Sequence, residues 1–256
     1  MLAFIGGTGF LGLGKVKETL DVLTPYGTAV VHRVRMLDEE LYFIPRHGDK
    51  HEIPPHKVNY RANVHALRKL GAKAVFATYA CGIISKYKPG DLVIIRDFLG
   101  LNTPITFYDD FSGGAKHFDF SNPYDKELMD AVREIASAER IKLNEGGVVA
   151  TTAGPRFETK AEISALKKMG ANLVSMTHAY EATLIHELEI PYAALAVGAN
   201  YACGVTTSRS ANRTRGPLFR RNNREKPVSH EEVISQMEKA KGKIETIING
   251  LLEIVE

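Results

Sequence analysis

Cysteine is scarce in this 256-residue chain, with Cys81 and Cys203 its only two. Thiols so few and so far apart in sequence exclude a disulfide framework or a cysteine-rich zinc module, and they favour a reducing, cytoplasmic setting. Long apolar runs are missing as well: none approaches the ~20 residues that a membrane-spanning helix requires. The N-terminus lacks a basic stretch and breaks into glycines after a few apolar residues, so no signal peptide is read there. Charge of one sign is in small excess, a net +3. The 207–226 stretch holds six Arg and one Lys against one Glu, which is +6 and leaves −3 for the remainder. The excess is therefore one local feature and does not mark the whole chain as a nucleic-acid binder.

What is present reads as an ordinary globular chain, 44% apolar and 25% charged, long enough for a full core without staples. Apolar β-branched runs alternate with amphipathic stretches, the pattern of an α/β fold. Strands are predicted at 3–5, 28–35, 41–46, 74–79, 92–96, 147–152, 173–176 and 192–197. The two strands at 28–46 form a meander around a polar Asp-Glu-Glu turn. Helices are predicted at 59–70, 125–138, 159–170 and 181–188. A capping box, Ser229-His-Glu-Glu232, opens a long final helix that buries Ile234, Met237, Ile244, Ile248 and Leu251. There is no repeat, and the basic 207–226 segment reads as a surface insertion in a single domain spanning 1–256.

Gly6-Gly-Thr-Gly-Phe-Leu-Gly12, after an opening strand, has the spacing of a dinucleotide-binding loop. That use requires a helix leading directly out of the loop, whereas Leu13-Gly14-Lys15 continues an irregular stretch. The remaining use is a cradle for a free anion, formed by backbone N–H groups and the Thr8 hydroxyl. Arg46-His47-Gly48 is a second polar cluster, in which the arginine fork and a histidine donor suit an oxyanion. His51 and His56 follow closely, but Ile53-Pro54-Pro55 breaks the helix that a metal-binding His47/His51 pair would need, so no metal site is read.

Taken in order, Ile5-Gly-Gly-Thr-Gly9, Arg46-His-Gly48, Asn59-Tyr-Arg-Ala-Asn63, Gly154-Pro-Arg-Phe-Glu158 and Ser175-Met-Thr177 resemble the trimeric purine nucleoside phosphorylase and methylthioadenosine phosphorylase family. The likeness runs from about Leu2 to Gly204 and resumes at Pro227. It implies a single α/β domain whose mixed central β-sheet has a partly barrel-like closure and is flanked by helices, assembled as a homotrimer or homohexamer. It also implies cleavage of a purine nucleoside with phosphate as co-substrate and with no metal or organic cofactor. Carried over by position, Thr8, Arg46, His47, the backbone at Ala80 and Thr177 would hold phosphate. Met176 would lie against the ribose and Phe157 against the purine.

The base preference is read from donor and acceptor chemistry. A 6-oxopurine presents N1–H as donor and O6 as acceptor, the reverse of adenine. Glu158 suits that N1–H, and Asn200, which aligns with the family residue that contacts N7 and the 6-position, can donate to O6 while accepting from N7; together with His47 they are the catalytic set that the resemblance implies. His230 aligns with a histidine that contacts the 5′-hydroxyl, which points to inosine and guanosine. A methylthioinosine or methylthioadenosine phosphorylase is the enzymatic alternative, and RNA binding through the 207–226 segment the non-enzymatic one. Tyr79 and Tyr180 depart from the family pattern beside the expected phosphate and ribose residues.

Overall fold

The computed structural model describes residues 1–10, 12–205 and 230–255. The basic 207–226 insertion and Ser229, the first residue of that capping box, lie outside them. Strands β1 (Leu2–Gly6), β2 (Lys15–Thr24), β3 (Gly27–Met36) and β4 (Glu39–Pro45) precede helix α1 (Tyr60–Lys69). Strands β5 (Ala74–Ile83) and β6 (Leu92–Leu99), helix α2 (Lys126–Ala138), strand β7 (Leu143–Thr151) and helix α3 (Lys160–Lys168) follow. Strand β8 (Leu173–Ser175), helix α4 (His178–Glu187), strand β9 (Tyr192–Tyr201) and helix α5 (His230–Leu252) complete the order.

All nine strands share one mixed sheet in the order β2-β3-β4-β1-β5-β8-β7-β6-β9, and β9 also pairs with β5. That last pairing closes β5, β8, β7, β6 and β9 into a five-stranded barrel, so the predicted partial closure is complete here. Strands β1, β4, β5 and β9 run parallel, while β8 is antiparallel to β5 and β6 antiparallel to β9. Phe4 packs edge-on against Phe10 at 5.1 Å and stacks on Phe43 at 5.9 Å, in a core layer covered by α2 and α5. Val75, Ala77 and Tyr79 face the other way, into a layer with α1 and α4. Each such large side chain contributes about 1.5–3 kcal/mol by leaving water.

Helix starts follow the capping rules. Asn59, Asp125 and Thr159 each accept a backbone N–H from three residues on, and Thr159 with Glu162 forms the full capping box. Three expectations need correction. The stretch after the glycine loop is not irregular but strand β2, which pairs with β3 to make a three-stranded meander. It escaped notice because its first seven residues are mostly exposed and only Val22 and Thr24 are buried. On α5 the buried face includes Val233 rather than Ile234, which is exposed. Helix α4 begins at His178, three residues before the apolar pattern that announced it.

Candidate active site

Parallel pairing places the functional segments together before any side chain is considered. Gly6 lies opposite Pro45, and Ile5 opposite Ala77, so the residues that follow β1 and β4 emerge beside the middle of β5. The carboxyl end of β8 meets Gly82, and Gly82 lies opposite Asn200. Ligands of parallel sheets gather at such strand ends. A cleft of about 550 Å³ opens here, lined by all ten residues singled out from sequence: Thr8, Arg46, His47, Ala80, Phe157, Glu158, Met176, Thr177, Asn200 and His230.

One end of the cleft is cationic. The Arg46 backbone N–H donates to Gly6 O at 2.8 Å, fastening the glycine loop to the end of β4. A Cβ on Gly7 would stand 2.7 Å from Arg46 Nη1, so only glycine lets the loop approach the guanidinium this closely. The guanidinium itself is buried. Its Nε and Nη2 donate to Glu181 at 2.6 and 2.8 Å, and Nη1 donates to Thr78 O at 3.1 Å. Of its five N–H groups two remain for a ligand. Burial alone would depress the Arg46 pKa, but the Glu181 carboxylate more than offsets this and raises it, so the cation is permanent.

Thr177 occupies the N-cap of α4 without capping it, so its hydroxyl, at the positive end of a ten-residue helix, has no partner among the described residues. Thr8 is joined to His51 by a 2.9 Å hydrogen bond. Thr78, which the sequence did not flag, contributes a buried hydroxyl with no partner among the described residues.

His47 departs from its expected chemistry. Its Nδ1 lies 2.8 Å from Ile53 O, and a carbonyl can only accept, so Nδ1 carries the proton. Burial, and then Arg46, pull its pKa down to about 4. The neutral ring therefore offers an acceptor at Nε2 where a donor had been expected, and it suits a protonated oxygen on a bound anion.

The cleft is also lined by an aromatic ring, a carboxylate, an amide and a thioether. Phe157 is exposed at the rim, on the segment following β7. Glu158 is buried, and its Oε1 accepts from Thr152 at 2.6 Å, which fixes the carboxylate. Asn200 is buried at the end of β9. Met176 lies against Gly154, where a Cβ would come within 2.7 Å of its sulfur. His51 sits 4.9 Å from the His47 ring and 5.4 Å from that of His230, and Val233 and Met237 of α5 line the same cleft. Among the described residues no group of three His, Cys, Asp or Glu side chains could hold a metal ion.

Tyr79 and Tyr180 do not line the cleft. Tyr79 turns to the far side of β5, and Tyr180 stacks on Tyr60 at 4.8 Å. Sequence reasoning missed His51 as a partner of Thr8 and Glu181 as a partner of Arg46. The His and acidic residues were visible, but only the strand register brings them to those partners.

Comparison with known proteins agrees with this geometry. A family model described as the phosphorylase superfamily matches residues 2–253. A "probable 6-oxopurine nucleoside phosphorylase" of Moorella thermoacetica is 40% identical over 242 residues, covering 93% of this chain and 86% of that protein. A "probable S-methyl-5′-thioinosine phosphorylase" of Methanopyrus kandleri is 45% identical over 210 residues, covering 80% of each chain. The solved structure of methylthioadenosine phosphorylase from Schistosoma mansoni in complex with adenine superposes with a TM-score of 0.84, at 27% identity, covering 99% of this chain and 91% of that one. The glycine loop leads into a strand rather than a dinucleotide-type helix, and the barrel, the cleft and the matched length all agree: this chain belongs to the phosphorylase superfamily.

Proposed function

We propose that this protein cleaves 6-oxopurine nucleosides such as inosine and guanosine with inorganic phosphate, releasing the free base and ribose 1-phosphate. The observation that carries the reading is the pairing of a buried carboxylate and amide, Glu158 and Asn200, in one cleft with the Arg46 cation. Phosphate lies against the two free Arg46 N–H groups, the Thr8 and Thr177 hydroxyls and the Ala80 backbone. His47 Nε2 accepts a hydrogen bond from the phosphate hydroxyl, which turns a bare oxygen towards C1′.

The C1′–N9 bond lengthens and its electron pair leaves with the purine, so positive charge builds on the ribosyl group and negative charge on the base. Asn200 donates to O6 and accepts from N7–H once N7 has taken a proton from water, while Glu158 accepts from N1–H. The Asn200 bond to O6 strengthens as negative charge builds on the departing base, which is the requirement for catalysis by a preorganised polar group, while Glu158 fixes the ring through N1–H. A phosphate oxygen then bonds to C1′ from the opposite face. Met176 packs on the ribose and Phe157 on the purine. The reading includes a homotrimer or homohexamer in the cytoplasm and asks for no metal or organic cofactor.

A second reading, an S-methyl-5′-thioinosine phosphorylase, keeps the same base pocket and is favoured by Val233 and Met237, apolar neighbours of His230. The deciding experiment is base release from inosine, guanosine, methylthioinosine, adenosine and methylthioadenosine, with and without phosphate. Turnover of inosine and guanosine is expected. Preference for methylthioinosine would overturn the 5′ assignment alone, and preference for the adenine nucleosides would overturn the base assignment.

A further inference from the structure

We propose that Tyr79 is a positioning residue for phosphate, acting through Glu181 to hold the Arg46 guanidinium in its working orientation. The inference rests on the functional reading above. Tyr79 sits on β5 between Thr78 and Ala80, both of which line the cleft, yet its own side chain leaves on the opposite face and is 1% exposed. Its hydroxyl donates to Glu181 Oε2 at 2.6 Å and lies 2.7 Å from the Tyr192 hydroxyl. An ionised carboxylate only accepts, so the single Tyr79 proton goes to Glu181 and Tyr192 must donate to Tyr79. The direction of the chain is thereby fixed from Tyr192 through Tyr79 to Glu181 and on to Arg46.

Tyr79 touches both halves of the buried pair. Besides its bond to Glu181, its ring lies beneath Arg46, with Cζ 4.4 Å from the centroid. Glu181 Oε2 is consequently shared between Arg46 Nη2 and the Tyr79 hydroxyl. Fixed in this way, the carboxylate cannot pivot, and the fork it holds cannot turn its two remaining N–H groups out of the cleft. Burial, and then Glu181, keep the Tyr79 proton in place by raising its pKa. Tyr79 makes no contact with substrate in this scheme.

The test uses the full chain carrying Tyr79→Phe, which keeps the ring and removes the hydroxyl. Phosphate affinity is read twice, as KM in base release and as Kd by calorimetry with phosphate alone. We expect both to rise roughly five- to twentyfold, as befits loss of one charge-assisted hydrogen bond, with nucleoside KM and kcat at saturating phosphate unchanged. Tyr192→Phe should move phosphate KM in the same direction but less. In a Glu181→Gln background, adding Tyr79→Phe should cause no further change, since the two act in series. Phosphate KM and Kd within twofold of wild type, or an equal rise in nucleoside KM, would overturn the inference. A wild-type chain that binds phosphate but releases no base would sink the functional reading, while the calorimetric comparison would still decide the role of Tyr79.

Discussion

Arg46 and Glu181 stand 135 residues apart in the chain, yet they form a two-pronged ion pair at 2.6 and 2.8 Å in which neither side chain is more than 2% exposed. Two charges taken out of water persist only as a unit, because either alone would lack both hydration and a partner. Glu181→Gln turns an amide N–H towards the guanidinium and should cost about 3–5 kcal/mol of stability. Urea unfolding measures this directly, and an unchanged midpoint would show that the pair is dispensable. Phosphate KM should rise in the same variant.

In the proposed reading Glu158 and Asn200 share base recognition, and Asn200 is the partner of the 6-position. Asn200→Asp removes the donor to O6 and supplies an acceptor for a 6-amino group. Activity on adenosine or methylthioadenosine should rise relative to inosine by roughly tenfold or more, the scale expected when a buried polar partner is mismatched. Ratios of kcat/KM for inosine and adenosine provide the readout. An unchanged ratio would remove Asn200 from base recognition.

The cleft was legible in the sequence to an unusual degree because its residues cluster in short motifs at strand ends, where loop chemistry is distinctive. Thr8 and Arg46 could be read there from loop chemistry, and the resemblance supplied Glu158 and Thr177, all without knowing the register. What escaped was set by tertiary pairing. His51 meets Thr8 across 43 residues and Tyr79 meets Glu181 across 102, separations over which local pattern carries no information. The same limit explains β2. As an exposed outer strand it carries no clean alternation of buried and solvated positions, which is the signal that announced the other strands. The protonation state of His47 was likewise invisible, since it depends on the carbonyl of Ile53 turning towards Nδ1.

In the proposed reading the 5′ group of the substrate meets His230, which has His51, Val233 and Met237 around it. His230→Leu adds an apolar side chain beside Val233 and Met237 and removes a partner for a 5′-hydroxyl. The kcat/KM ratio of methylthioinosine to inosine should rise by roughly ten- to a hundredfold, the cost of leaving a hydroxyl unpaired together with the gain from apolar contact. A ratio that stays constant would place the 5′ group elsewhere.

Acid should destabilise this fold through histidines buried in the neutral form. His178 is fully buried beside the rings of Tyr79 and Phe98, with its Nε2 3.0 Å from the Tyr124 hydroxyl. Burial first, and then the charge on Arg46, lower its pKa from 6.5 to about 3. His47 is lowered in the same way to about 4. Between pH 6.5 and 4 the unfolded chain binds protons at both positions that the folded chain refuses. Stability therefore falls as pH falls, by about 1.4 kcal/mol per pH unit for each histidine. Above pH 6.5 neither group contributes a slope. His178→Gln keeps a polar side chain near Tyr124 but cannot titrate, so the loss of stability between pH 6.5 and 4.5 should shrink by one proton's share, whatever the variant costs at pH 7. Urea midpoints measured across that range for wild type and variant decide the matter: parallel curves would mean that His178 is already charged in the folded protein.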